Sequence, residues 1–372
     1  MKKSRITAAV CAALMLTAAF SPCVYAADVS AEAAILTEAG SGTVIYEKNA
    51  DARLPMASTT KIMTAVVALE NRSPEKEVTI PADACGVEGS SIYLTAGEVL
   101  TMSDLLYALL LDSANDAAAA IAIEVAGSVD AFADMMNEKA ALLGLTNTHF
   151  TNPHGLHDDD HYTSARDLAA LTAYALKNDA FREIVSTYKH KIPLHGDEGV
   201  RVLINHNKLL KSSHGFIGVK TGFTKKSGRC LVSAAERDGV CLISVTLNAP
   251  DDWNDHIRLA EEGFAAFRSF TLADEGEYSV SIPSVYAQSE SGKVCASNKE
   301  RVTLTLPANS RITSVTEAPH ILLTGVDAGD TVGRVVFYAD GEEIASVDLI
   351  ADESAPVPEK SGFFDKIKKI FG

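Results

Sequence analysis

The sequence predicts one sheet with helices packed on it, an α/β or α+β domain, followed by a small all-β domain. Two strand signals, a helical block, a strand meander and a closing helix follow in that order, which one sheet layered with helices satisfies. After Thr271 the helical periodicity stops and short strand signals with turn residues replace it. A chain of 372 residues that is 47% hydrophobic supplies a large core and a smaller second one.

Residues 1–27 read as a secretory signal. Lys2, Lys3 and Arg5 precede an apolar run from Ile6 to Phe20. Val24-Tyr25-Ala26 then offers small residues where a signal peptidase reads, so cleavage is expected after Ala26 or Ala27. The run is short for a membrane span, and Ser21-Pro22 before Cys23 makes a poor lipid-attachment site.

Residues 28–270 form the first domain. Ala34–Thr37 and Thr43–Tyr46 flank Gly40-Ser41-Gly42 and predict a hairpin. Between Ser58 and Glu70, Ile62, Met63, Val66, Val67 and Leu69 recur at helical spacing. Leu105–Leu111, Ala117–Val125, Ala131–Leu143 and Leu168–Lys177 continue as helices. Phe216–Phe223, Cys230–Ala235 and Val240–Leu247 predict the meander, and Ile257–Phe267 a closing helix. Residues 271–352 form the β-rich domain, with strands at Tyr278–Ile282, Val302–Leu306, His320–Leu323, Val332–Tyr338 and Ile344–Ile350. Asp340-Gly341 is a hairpin signal between the last two.

Residues 353–372 read as linker and tail. Pro356-Val357-Pro358 is an extended spacer. On a helix, Phe363, Phe364, Ile367, Ile370 and Phe371 share one face, and Asp365, Lys366, Lys368 and Lys369 take the other. That pattern predicts a helix lying on a membrane surface, too short to span it; a docked terminal helix is the alternative.

The formal net charge of −16 argues against a nucleic-acid partner. Outside the signal, Cys85, Cys230, Cys241 and Cys295 remain, and export permits disulfides. A tight turn at Glu236-Arg237-Asp238-Gly239 sets Cys230 near Val245 rather than opposite Cys241. Buried thiols are therefore expected there.

Three motifs carry candidate chemistry. In Ser58-Thr59-Thr60-Lys61, one helical turn sets Ser58 and Lys61 on the same side. A serine hydroxyl needs a base within reach to act as a nucleophile. A desolvated lysine can lose its proton and serve. The Ser58 backbone N–H, at a helix start, can stabilise an oxyanion. The spacing alone is weak, since Ser73-Pro74-Glu75-Lys76 repeats it at what reads as a surface turn. Ser113-Ala114-Asn115 offers a proton relay in Ser113 and an amide ligand in Asn115, or else a helix cap. Lys220-Thr221-Gly222 lies in a predicted strand. Lys220 and Thr221 suit a carboxylate, Gly222 marks a close approach, and Phe223 can lend a backbone N–H. The alternative is an exposed edge strand.

In this order the motifs match the set shared by class A β-lactamases and penicillin-binding proteins. The chain resembles the low-molecular-weight penicillin-binding proteins, the serine D-alanyl-D-alanine carboxypeptidases of peptidase family S11. The likeness runs through Met56–Lys61, Gly89–Leu94 with Gly97-Glu98, Asn152-Pro153-His154-Gly155-Leu156, Asn205–Leu210 and Gly218–Thr224. Lys220–Gly239 is similar to sporulation-type relatives. The resemblance implies a β-lactamase/transpeptidase-like fold with an antiparallel sheet. It implies removal of the terminal D-alanine from peptidoglycan stem peptides through an acyl-enzyme on Ser58. Lys61 would be the base. Ser113 and Lys220 would shuttle the proton, and Thr221 would help hold the carboxylate. β-Lactams would acylate the same serine. No metal or organic cofactor is implied. The expected place is the outer face of the cytoplasmic membrane, held peripherally. One departure is His206, within Asn205-His206-Asn207, where relatives can carry arginine. His206 reads as a polar loop residue.

Three other readings compete. A class A-like β-lactamase activates its deacylating water with a loop glutamate; no Glu occurs from Lys139 to Arg182, only Asp158, Asp159, Asp160 and Asp167. A non-catalytic wall-associated scaffold predicts loss of Ser58, Lys61 or Lys220, and all are kept. A metal hydrolase draws on His154, His157 and His161, but their spacing fits no zinc pattern, so they read as a solvated acidic loop.

Overall fold

The computed structural model describes residues 28–194, 199–287 and 292–357. The signal segment and the tail helix predicted from the sequence lie outside the described residues.

The first layer is a five-stranded antiparallel sheet. Its order is β2 (Val44–Lys48), β1 (Ala33–Glu38), β9 (Val240–Leu247), β8 (Gly228–Arg237) and β7 (Phe216–Thr224). The predicted hairpin is β1–β2 and the predicted meander is β7–β8–β9. Both faces of the sheet are covered. Along β1, Ala33 and Ile35 enter one buried cluster while Ala34 and Leu36 enter another, the two-residue alternation of a strand buried on both sides. Over one face lie α1 (Lys61–Asn71), α2 (Met102–Leu110), α3 (Asn115–Ala126), α4 (Val129–Leu142), α5 (Ala165–Ala175) and α6 (Asp179–Ser186). Over the other lies α7 (Asp252–Ala266). It sits close at Gly263, where a methyl group would meet Leu242 Cδ1 at 2.5 Å.

Two small ribbons flank this body: β3 (Glu77–Thr79) with β4 (Val99–Thr101), and β5 (Lys189–Pro193) with β6 (Val200–Ile204). Helix ends follow ordinary capping chemistry. Thr101 and Asp104 form a reciprocal capping box on α2, and Ser128, Ser164 and Asn178 cap α4, α5 and α6. A buried histidine ties α7 to the sheet, with His256 meeting the Ser233 hydroxyl at 2.6 Å and the Thr246 hydroxyl at 2.9 Å.

The β-rich region begins directly at the end of α7. β10 (Phe267–Ala273) pairs with β13 (Val302–Pro307). A second five-stranded sheet runs β11 (Ser279–Pro283), β12 (Lys293–Ser297), β16 (Glu342–Ala351), β15 (Thr331–Ala339) and β14 (Ile312–Glu317). Asp340 and Gly341 make the β15–β16 turn with φ of 52° and 93°, the left-handed pair such a two-residue hairpin needs.

Several readings need correction. His320–Leu323 is no strand; only Leu322 makes an isolated bridge, to Ser284. α6, β5, β6, β10, β12 and β14 carried no signal strong enough to read. In the β8–β9 register Val245 pairs with Val232 rather than lying by Cys230, and Cys241 pairs with Glu236. The four cysteines are free; Cys230 is buried, but Cys241 is only partly so.

Candidate active site

The nucleophile motif sits at the head of α1. Residues Ala57–Thr60 make one 3-10 turn that runs into the helix at Lys61. Ser58 and Lys61 therefore face the same way, and Lys61 Nζ lies 3.0 Å from Ser58 Oγ. Lys61 has no exposed surface. Its Nζ also donates to Asn115 Oδ1 and to the His154 carbonyl, both at 2.7 Å. No carboxylate lies within ion-pair distance among the described residues, and the acceptors are neutral. Burial, with the nearby Lys220 charge, holds the Lys61 proton affinity well below that of a free lysine, against a smaller pull from Asp116. A lowered pKa raises the neutral fraction of the amine, the form that can take a proton from a hydroxyl it touches.

The turn itself is strained and braced. Ala57 has φ of 48°, a conformation alanine rarely adopts. Its carbonyl accepts from the Thr60 hydroxyl at 2.8 Å. Thr60 in turn meets His161 Nε2 at 2.7 Å, while His161 Nδ1 accepts from the Thr151 N–H at 3.0 Å. The Nδ1 bond assigns the proton to Nε2, so a neutral imidazole donates to Thr60 and Thr60 donates to Ala57. Burial holds His161 neutral, its pKa pushed down to about 4. Gly155, with φ of 89°, packs so closely that an added methyl would come within 2.0 Å of the Ala57 oxygen. The Asn152 side chain shapes that loop by accepting from the N–H groups of His154 and Gly155. The loop is thus not a uniformly solvated one. Asp158–Asp160 are exposed, but His161 is 3% exposed and part of the brace. No cluster of metal-ligating side chains occurs among the described residues.

The second motif closes one side. Ser113 takes φ of 60° just before α3. The cap of α3 is Ala114, without a side-chain bond, so neither Ser113 nor Asn115 serves as the cap. Asn115 is committed to Lys61 through Oδ1 and to the Glu88 carbonyl through Nδ2. Among the described residues the Ser113 hydroxyl has no hydrogen-bond partner although the residue is only 5% exposed.

The third motif lies on β7, at the edge of the sheet. Gly222 is where this strand meets the nucleophile turn: a methyl there would lie 3.1 Å from both the Met56 oxygen and the Ser58 nitrogen. Lys220 is 1% exposed and its Nζ donates to the Thr221 carbonyl at 2.9 Å. No carboxylate pairs with it among the described residues. Burial pushes its pKa down to about 7, with Asp112 pulling upward. A buried amine without a counter-ion favours an incoming anion. The Thr221 hydroxyl has no protein partner among the described residues, and Phe223 is 66% exposed. His206 is an exposed loop residue, as the sequence suggested, and partial desolvation with the Lys220 charge lowers its pKa.

Lys61 thus lies in reach of Ser58, whereas Lys220 is near enough to act on Lys61 by charge but makes no hydrogen bond to Ser58 or Ser113. Asp167 is spent on the Asn147 N–H and the Thr148 hydroxyl, at 2.7 and 2.8 Å, and Asp158 accepts from the Asp160 N–H.

The chain is similar to known proteins over most of its length. Residues 19–251 match the peptidase S11 family profile, described as D-alanyl-D-alanine carboxypeptidase. Residues 267–356 match the C-terminal domain of penicillin-binding protein 5. The chain is 29% identical over 354 residues to D-alanyl-D-alanine carboxypeptidase DacF of Bacillus subtilis, covering 92% of this chain and 89% of that one. It is 33% identical to D-alanyl-D-alanine carboxypeptidase DacC of Escherichia coli, covering 94% and 91%. The crystal structure of penicillin-binding protein 5 from Haemophilus influenzae superposes with a TM-score of 0.69 at 28% identity, covering 90% of this chain and all of that one.

Proposed function

The chain belongs to the peptidase S11 family of D-alanyl-D-alanine carboxypeptidases, and from that premise we propose how its own residues carry a serine-type reaction on peptidoglycan stem peptides. Neutral Lys61 takes the proton of Ser58. The Ser58 oxygen attacks the carbonyl between the two terminal D-alanines. The oxyanion forms beneath the backbone N–H groups of Ser58 and Phe223. Lys220 and Thr221 hold the free carboxylate of the substrate. The proton passes through Ser113 to the leaving amine, D-alanine departs, and an ester on Ser58 remains. Water, deprotonated by the same lysine, then hydrolyses the ester and restores the serine.

The observation that carries this reading is a fully buried lysine 3.0 Å from a serine oxygen, with no carboxylate within ion-pair distance among the described residues. The unpaired, buried Lys220 supports the carboxylate role, and the close seat of Gly222 supports the backbone role of its neighbour. Asn115 acts first as the clamp on Lys61 and second as an amide ligand for substrate. β-Lactams acylate Ser58, since their ring presents the same kind of carbonyl beside a carboxylate. The missing loop glutamate disfavours fast lactam release.

The leader at residues 1–27 exports the chain. The tail within residues 353–372 holds it to the outer face of the cytoplasmic membrane. Among the described residues no helix is long and apolar enough to cross a membrane. The test is incubation with a pentapeptide stem ending in D-Ala-D-Ala. The wild-type protein releases one D-alanine per stem, and Ser58→Ala releases none.

A further inference from the structure

Tyr93 is strained and exposed, on a segment fixed from two sides. Its φ is 59°, where a bulky side chain is an outlier. The residue is 83% exposed, while Ile92 and Leu94 beside it are 7% and 5% exposed. Its phenol has no hydrogen-bond partner among the described residues.

The conformation is imposed by two buried anchors. Asp116, wholly buried at the start of α3, accepts from the Ser91 hydroxyl at 2.6 Å and from the Leu94 N–H at 3.0 Å. Arg201, from β6, donates to the carbonyls of Ile92 at 3.0 Å and Tyr93 at 3.3 Å, and is itself held by the carboxylate of buried Glu98. The same segment meets the catalytic motifs. The Asn115 N–H donates to the Ser90 carbonyl at 2.7 Å, and the Asn115 side chain links the Glu88 carbonyl to Lys61. Strain maintained by surrounding structure clusters at ligand-contact sites. Here it turns an unpartnered aromatic outward, a few residues along from a backbone carbonyl that is one side chain away from Lys61.

We propose that Tyr93 is a substrate-binding residue that contacts the stem peptide three or four residues upstream of the scissile bond, and so selects long stems over short ones. An extended peptide advances about 3.3–3.6 Å per residue, so such residues lie roughly 10–14 Å from the reacting carbonyl. A peptide with a single residue ahead of D-Ala-D-Ala has no residue at that distance. The assignment rests on the carboxypeptidase reading above.

The test compares Tyr93→Ala, Tyr93→Gly and Tyr93→Phe on a pentapeptide stem and on an acetylated tripeptide ending in D-Ala-D-Ala. On the pentapeptide, the Ala and Gly variants raise KM about fivefold to tenfold, the scale of one aromatic contact, with kcat unchanged, and Phe keeps most of the binding. On the tripeptide, and in penicillin acylation of Ser58, all three behave as the wild type. Tyr93→Gly also raises Tm, because glycine accepts this φ freely, so its lost binding is not lost folding. Unchanged KM for the pentapeptide in Ala and Gly overturns the inference, as does an equal loss on both peptides. Failure of the wild type to release D-alanine from either peptide overturns the carboxypeptidase reading and this inference with it.

Discussion

Lys61 Nζ donates to Asn115 Oδ1 at 2.7 Å, and this contact makes the electrical state of the base depend on one neutral side chain. Asn115→Asp keeps the shape and adds a negative charge against the amine. A close opposite charge raises a lysine pKa by about 1–3 units, so the base becomes protonated near neutral pH. Acylation by a labelled penicillin at pH 7 is expected to slow on the order of a hundredfold and to recover as pH rises. An unchanged rate would show that Lys61 is not the base.

Lys220 sets the alkaline side of the pH profile. Its pKa lies at about 7, and in the proposed mechanism its charge holds the substrate carboxylate. In the free enzyme, kcat/KM is expected to fall as pH rises through about 7. Bound carboxylate favours the charged lysine, so the fall in kcat lies at higher pH. Lys220→Arg stays charged and loses the fall in kcat/KM, whatever its absolute rate. Steady-state D-alanine release across pH 5–9 measures both limbs.

Gly222 allows β7 to touch the nucleophile turn. In Gly222→Ala the methyl arrives 3.1 Å from the Ser58 nitrogen and the Met56 oxygen, and both are backbone atoms that yield only by moving the turn. Overpacking of this kind costs about 1–3 kcal/mol, and displacement of the serine lowers the acylation rate roughly a hundredfold. The melting temperature and the penicillin acylation rate of the variant report these separately.

Acid weakens the fold through its buried histidines. His154 and His256 have pKa values pushed down to about 3 and His161 to about 4, chiefly by burial. The unfolded chain takes up these protons near pH 6.5 and the folded one does not. The folded state is therefore favoured above about pH 6.5 and loses stability as pH falls from there toward about 4, by up to ~1.4 kcal/mol per pH unit for each histidine. His256→Asn flattens that slope. Urea unfolding at pH 7, 6, 5 and 4 checks it.

The parts of the fold visible in the sequence are those with strong local patterns. The β1–β2 hairpin, the central helices and the β7–β8–β9 meander carry clear periodicity, and Asp340-Gly341 fixes its turn by chemistry alone. β5 and β6 escaped because Val200–Ile204 mixes an arginine into an exposed ribbon, and that arginine serves a distant loop. β14, with Thr and Ser between its apolar residues, has little to distinguish it from a loop. The Ser58–Lys61 pairing was legible, because four residues make one helical turn. The brace was not. His161 acts on Ala57 through Thr60, across a hundred residues of chain, and no spacing rule joins them. Gly222 was readable as a close approach, but the nucleophile turn as its partner emerges only in three dimensions.

The most direct test of the central claim, that Ser58 is the residue acylated, is mass mapping of the penicillin adduct. The protein is incubated with benzylpenicillin, digested, and its peptides weighed. The adduct is expected on the peptide bearing Ser58 and on no other, and is absent from Ser58→Ala. An adduct on Ser113 or Ser73, or an undiminished adduct in Ser58→Ala, would contradict the account.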